Sequence, residues 1–120
     1  MINYLKSLEY PGRFIAIGKD GQYSVVIYGA TGRSPSSLAR KFVPLEDGIY
    51  MTANDATVHI HGNPELLEYP AIRFFENGIA AANGQHIEKI ETLEKRDARK
   101  QLSYALNEEA YEPDEHRTPR

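Results

Sequence analysis

The chain contains no cysteine, which excludes disulfides and thiolate metal ligands. It has no surplus of positive charge: 14 Lys and Arg stand against 17 Asp and Glu, a formal net charge of −3. Neutralising a phosphate backbone needs a basic surplus or a basic stripe, so no nucleic-acid partner is expected. No apolar run approaches the ~18 residues of a membrane-spanning helix. The opening residues, MINYLKSLEYPGR, carry no apolar stretch of the kind that starts a signal peptide. A cytoplasmic protein with no membrane partner is the expectation. Internal repeats, heptad seams and low-complexity linkers are missing too.

What is present is ordinary for a water-soluble domain. The 120 residues are 41% apolar and 26% charged, enough for a single domain over residues 1–120 with its own core. The first half reads as strands. RFIAIGK (13–19) and YSVVIYG (23–29) are rich in β-branched and aromatic residues, and Asp20-Gly21-Gln22 joins them as a hairpin turn. KFVPL (41–45) and IYMT (49–52) flank Glu46-Asp47-Gly48 in the same manner. TVHIH (57–61) alternates, with Val58 and Ile60 facing inward. AIRFFENGIAAANG (71–84) predicts a further hairpin turning at Asn77-Gly78. From Ile87 the apolar spacing becomes helical, and residues 95–111 predict a helix that Pro113 stops. Strands followed by helix predict an α+β fold, with helices on one face of a mainly antiparallel sheet.

Several segments could carry chemistry. YGATGRSPSSLARK (28–41) gathers small residues, Arg33, Arg40 and the hydroxyls of Ser34, Ser36 and Ser37. Close backbone approach, a guanidinium fork and hydroxyl donors together suit an anion. The GK[ST] of a Walker A loop is missing, and an exposed polar turn accounts for the pattern equally well. His59 and His61 share a strand face, but no third ligand stands at a metal-binding spacing, so no metal is expected. Tyr69, ahead of a strand, has a hydroxyl able to donate to a developing oxyanion, although from the residues alone an aromatic packing at a strand start is the better account. Glu112, where the last helix ends, could move a proton if its surroundings raised its pKa. By composition alone YEPDEHRTPR, the final segment, reads as a solvated tail.

Taken in order, these segments resemble one family, the stand-alone IMP cyclohydrolases of archaea and their bacterial relatives. The resemblance rests on Gly12-Arg13; on Gly32-Arg33-Ser34-Pro35-Ser36-Ser37 with Arg40 behind; on Asn63-Pro64, Tyr69, Ile72-Arg73, Asn83-Gly84 and His86; and on Tyr111-Glu112, Asp114-Glu115 and Thr118-Pro119-Arg120. It implies a fold like the N-terminal nucleophile hydrolases, an α/β/β/α sandwich. It does not imply their chemistry, because position 2 is Ile and not a nucleophile. The implied reaction closes the ring of 5-formamidoimidazole-4-carboxamide ribonucleotide, with loss of water, to give inosine monophosphate. The resemblance assigns Arg33, Ser34, Arg40 and Asn83 to the nucleotide, the arginines at its phosphate or carboxamide. Tyr69 would stand at the formyl oxygen, Glu112 at the amide proton, and Arg33 would also serve the chemistry. No cofactor is implied. Two departures are visible: archaeal members have an arginine closer behind Arg33 than Arg40 is, and family enzymes continue past the Thr-Pro-Arg block. Either these residues are a piece of a longer protein, or they are a short relative that completes itself by association; an unfinished sheet face and edge would favour a homo-oligomer. The alternative functions are a non-catalytic purine nucleotide-binding domain of the same fold and a structural module with no nucleotide affinity.

Overall fold

A computed structural model of the protein describes residues 2–9, 12–32, 34–53, 67–91 and 97–107. In chain order these form α1 (Ile2–Ser7), β1 (Arg13–Asp20), β2 (Tyr23–Ala30), α2 (Pro35–Leu38), β3 (Arg40–Leu45), β4 (Gly48–Ala53), β5 (Tyr69–Phe75), β6 (Gly78–Ala81), a 3₁₀ helix (Gln85–Lys89) and α3 (Ala98–Asn107). Every strand pairing is antiparallel, in a two-stranded sheet β1-β2 and a four-stranded sheet β3-β4-β5-β6. The α+β class expected from the strand-then-helix pattern is the one observed. The expected strand over 57–61 lies outside the described residues.

The β1-β2 hairpin turns tightly at Gly21-Gln22, with Asp20 paired to Tyr23 and Gly21 at a φ of 59°. This backbone region suits the twist of a short hairpin and is open to glycine without a Cβ penalty. The later hairpin differs from its expected form. Its turn residues are Glu76 and Asn77, and Gly78 already pairs with Phe75 as the first residue of β6. The Asn-Gly dipeptide therefore straddles the end of the turn. The helical spacing that begins at Ile87 opens in a 3₁₀ segment, Gln85–Lys89, and the helix expected over 95–111 is observed from Ala98 to Asn107, with residues 95, 96 and 108–111 outside the described ones. Asp97 precedes it, its carbonyl accepting from the Gln101 amide at 2.9 Å.

One irregularity in β5 sorts its side chains. Ile49 pairs with Ile72 but Tyr50 pairs with Pro70, so β5 carries an extra residue, Ala71, at that point. Such a bulge shifts the in-out alternation by one. Pro70 falls there, where a missing N–H disturbs the ladder least. As a result Tyr69, Ala71 and Ile72 all face the hairpin, while Arg73 and Phe75 face the other way. On the hairpin side, Met51, Tyr69 and Ala71 form a buried cluster with Tyr28 and Ala30 packed on it. The Tyr28 ring also meets Phe42 edge to face, with centroids 5.8 Å apart. On the opposite side, Ala80, Ile87, Ile90 and Ala105 pack with Phe75 and Ala82, joining β5 and β6 to the 3₁₀ helix and α3. The four-stranded sheet thus lies between the hairpin and the helices.

Candidate functional site

Cross-strand partners share a face. In the hairpin, Arg13 is paired with Ala30 and Ile15 with Tyr28, so Arg13 and Tyr28 both point at the four-stranded sheet. There they meet Tyr69 from β5 and Asn83 from the loop after β6. The Tyr28 and Tyr69 hydroxyl oxygens are 2.8 Å apart. Asn83 Oδ1 accepts from Arg13 at 2.5 Å and lies 3.2 Å from the Tyr28 hydroxyl and 3.3 Å from the Tyr69 hydroxyl. The Arg13 guanidinium can only donate, which identifies that atom as the amide oxygen. The Arg13 guanidinium also lies over the Tyr69 ring, 5.8 Å from its centroid. After Asn83 the chain turns sharply into the 3₁₀ helix through Gly84, whose φ of 143° strains any other residue.

Burial shapes the chemistry of this cluster. Tyr69 keeps only 3% of its surface exposed, whereas Arg13 and Asn83 are half-buried and mark where the cluster meets solvent. Burial, then the hydrogen bond to Tyr69, pushes the Tyr28 hydroxyl well above the usual phenol range. Arg13 and Arg40 pull in the opposite direction but do not prevail. Tyr28 is therefore a neutral hydroxyl at any physiological pH. Beneath its ring lies an apolar cavity of about 320 Å³, walled by Val26, Phe42, Ile49 and Ile72.

The serine-arginine segment borders the cluster as a capped turn. Ser34 is the N-cap of α2 and Pro35 its first residue; the Ser34 and Ser37 side chains bond each other's backbone N–H in a capping box. The Ser34 hydroxyl also lies 3.1 Å from that of Ser36. Gly32 is required by close packing, since a Cβ there would stand 2.6 Å from the Ser37 carbonyl carbon. Arg40, opening β3, donates from Nε to the Ser37 carbonyl at 2.9 Å and from Nη2 to the Thr31 carbonyl at 3.1 Å. These bonds staple the turn to the sheet and hold the guanidinium close enough to act on Tyr28.

Of the residues expected from sequence, Tyr69 and Asn83 are brought into direct contact, with Arg40 beside them and Ser34 in the neighbouring cap. Arg33, Glu112, His59 and His61 lie outside the described residues. Arg73, part of the family-like block, is turned away: it donates to the Ile90 carbonyl at 2.9 Å and lies 5.0 Å from the centroid of the Phe75 ring, bracing the helical side. Sequence reading passed over Arg13 and Tyr28 as site residues. The signal was there, because a tight turn at Gly21-Gln22 fixes the register that points both inward. Among the described residues no group of three or more His, Asp or Glu could hold a metal ion, and no helix is long and apolar enough to cross a membrane.

A family model described as "IMP cyclohydrolase-like protein" matches residues 10–120. The chain belongs to this family. It is also similar to a protein of Thermococcus kodakarensis (strain ATCC BAA-918 / JCM 12380 / KOD1) named IMP cyclohydrolase, 31% identical over 114 residues. That match covers 94% of this chain and 54% of the relative, so the chain spans about half the length of the protein it resembles.

Proposed function

We propose that the protein is an IMP cyclohydrolase, closing 5-formamidoimidazole-4-carboxamide ribonucleotide to inosine monophosphate in the last step of purine synthesis. Family membership supports the reaction. The observation that carries its assignment to this site is the buried Tyr28–Tyr69–Asn83 cluster, flanked by the Arg13 and Arg40 guanidiniums.

In this reaction the carboxamide nitrogen attacks the formyl carbon of its own molecule. A C–N bond forms and negative charge develops on the former formyl oxygen; that oxygen gains one proton from the attacking nitrogen and a second from the formamido nitrogen, and the C–O bond breaks as water departs and the ring C=N forms. Because both reacting groups belong to one substrate, holding them within reach supplies much of the acceleration. What remains is to stabilise the oxyanion and manage protons. Tyr69 donates to the formyl oxygen from a site with little water, where a fixed donor counts for more than in solution. Arg40 and Arg33 bind the phosphate or carboxamide, Ser34 and Asn83 complete the nucleotide contacts, and Glu112 takes the amide proton. No step requires an electron carrier or a Lewis acid.

The layers of hairpin, sheet and helices belong, in this reading, to an α/β/β/α sandwich like that of the N-terminal nucleophile hydrolases, forming a single domain in the cytoplasm. The protein associates with itself. The support is apolar surface left open along the hairpin and the nearby strand β3, where Ile17 is 79% and Leu45 53% exposed.

The test is to mix purified protein with the formamido nucleotide and follow the ultraviolet change of purine formation. Turnover abolished by Glu112→Gln, with binding retained, is expected. Saturable inosine monophosphate binding without turnover would favour a non-catalytic nucleotide-binding domain instead.

A further inference from the structure

The hydrogen-bond arithmetic of the cluster has only a few solutions. Each tyrosine hydroxyl owns one proton, and the 2.8 Å contact between them must use one of the two. Asn83 Oδ1 has two lone pairs, and Arg13, the nearest of its three donors, occupies one of them. The hydroxyls, at 3.2 and 3.3 Å, compete for the other. If Tyr69 donates to Tyr28, then Tyr28 donates to Asn83, and Tyr69 has no proton to offer a ligand. If Tyr28 donates to Tyr69, the Tyr69 proton is committed only to the long bond with Asn83, which a stronger acceptor can outcompete.

We propose that Tyr28 is a positioning residue for the ring closure: it donates to the Tyr69 oxygen and so directs the Tyr69 proton toward the substrate's developing oxyanion. This rests on the cyclohydrolase reading of the site. Asn83, held by Arg13, is the resting acceptor that Tyr69 leaves when the substrate oxygen arrives. Tyr28 is suited to this because its hydroxyl stays protonated. Among the described residues, the charged and titratable groups acting on it are Arg13 from β1, Arg40 from β3 and Tyr69 from β5. Its ring packs edge to face against Phe42, which fixes where the hydroxyl oxygen sits.

The test compares Tyr28→Phe, Tyr69→Phe and the double variant in the cyclisation assay. Tyr28→Phe should lower kcat about tenfold while KM stays within about twofold, because the lost bond acts on the transition state and not on substrate binding. The double variant should be no slower than Tyr69→Phe alone, since Tyr28 acts through Tyr69. A Tyr28→Phe protein with wild-type kcat, or losses that multiply in the double variant, would overturn the inference and leave the cyclohydrolase reading standing. A wild-type protein that does not turn over would overturn both. Should Tyr28→Phe fail to fold, a ring-fluorinated tyrosine at position 28 keeps the hydroxyl but makes it more acidic. A more acidic hydroxyl is a stronger donor to the Tyr69 oxygen, so kcat at neutral pH should equal or exceed the wild-type value with KM unchanged, and a lowered kcat would contradict the proposal.

Discussion

The two faces of the four-stranded sheet are built from the same strands and do different work. Toward the helices, Ala80, Ile87, Ile90 and Ala105 make a dry cluster with no hydrogen bond to satisfy. Arg73, the charged side chain turned to that face from β5, is tied to a backbone carbonyl and lies near an aromatic ring. Toward the hairpin the sheet gathers buried and half-buried hydroxyls, an amide and a guanidinium that hydrogen-bond one another. Polar groups out of water are costly unless paired, so this second face is a poor way to gain stability alone. The Ala71 bulge makes the division possible, because it puts Tyr69 and Ile72 on one side and Arg73 on the other. In the proposed reading, one face holds the fold together and the other holds the site.

Substitutions can break that division, beginning with the largest effect. Ile87 is fully buried, and Ile87→Ala should cost about 2–5 kcal/mol of stability through lost burial and a residual cavity. Urea unfolding measures this, and the protein that remains folded should keep its specific activity. Tyr69→Phe should do the reverse: kcat falls by about 10²-fold or more, while the unfolding midpoint moves little. If Tyr69→Phe instead unfolded the protein without slowing the folded fraction, both faces would be structural. Gly32→Ala lies between the two, since a Cβ there meets Ser37 backbone and not a mobile side chain. It should cost about 1–3 kcal/mol and weaken nucleotide binding by displacing the turn that Arg40 staples.

The remaining expectations are smaller. Tyr28 favours its protonated form when folded, so its contribution is complete below the unfolded phenol value of 10.0 and is lost as pH rises above it. Alkaline unfolding curves should therefore fall more steeply for the wild type than for Tyr28→Phe. Equal slopes would mean that the hydroxyl is not buried as described. Tyr50, whose exposed hydroxyl donates to Asp47 at 2.8 Å, serves as the control. Tyr50→Phe should change stability by no more than about 0.5 kcal/mol and leave kcat alone.

Much of this organisation was legible in the sequence because it depends on local signals. The strands over 13–19, 23–29, 41–45 and 49–52 announced themselves by β-branched content and glycine turns, and they sit within a residue or two of β1 to β4. Tyr69 and Asn83 entered the candidate set through the order of family-like blocks, and the structure brings them into contact. What escaped reading was non-local or subtle. The bulge at Ala71 depends on pairing with β4, which no window within β5 reveals. Asn77-Gly78 looked like the centre of a turn, yet pairing placed the turn one residue earlier. The serines looked like anion donors, while their immediate work is to cap α2. Tyr28 looked like one more aromatic in a strand; only the hairpin's register against the sheet gives its hydroxyl a partner.

The most direct test of the central claim, that the hairpin side of the sheet is a nucleotide site, is titration of inosine monophosphate against wild type and Tyr69→Phe, followed by the cyclisation assay on both. The account predicts saturable binding by both proteins and turnover by the wild type, with kcat reduced about 10²-fold in Tyr69→Phe. Folded wild-type protein that neither binds the nucleotide nor closes the ring would contradict it.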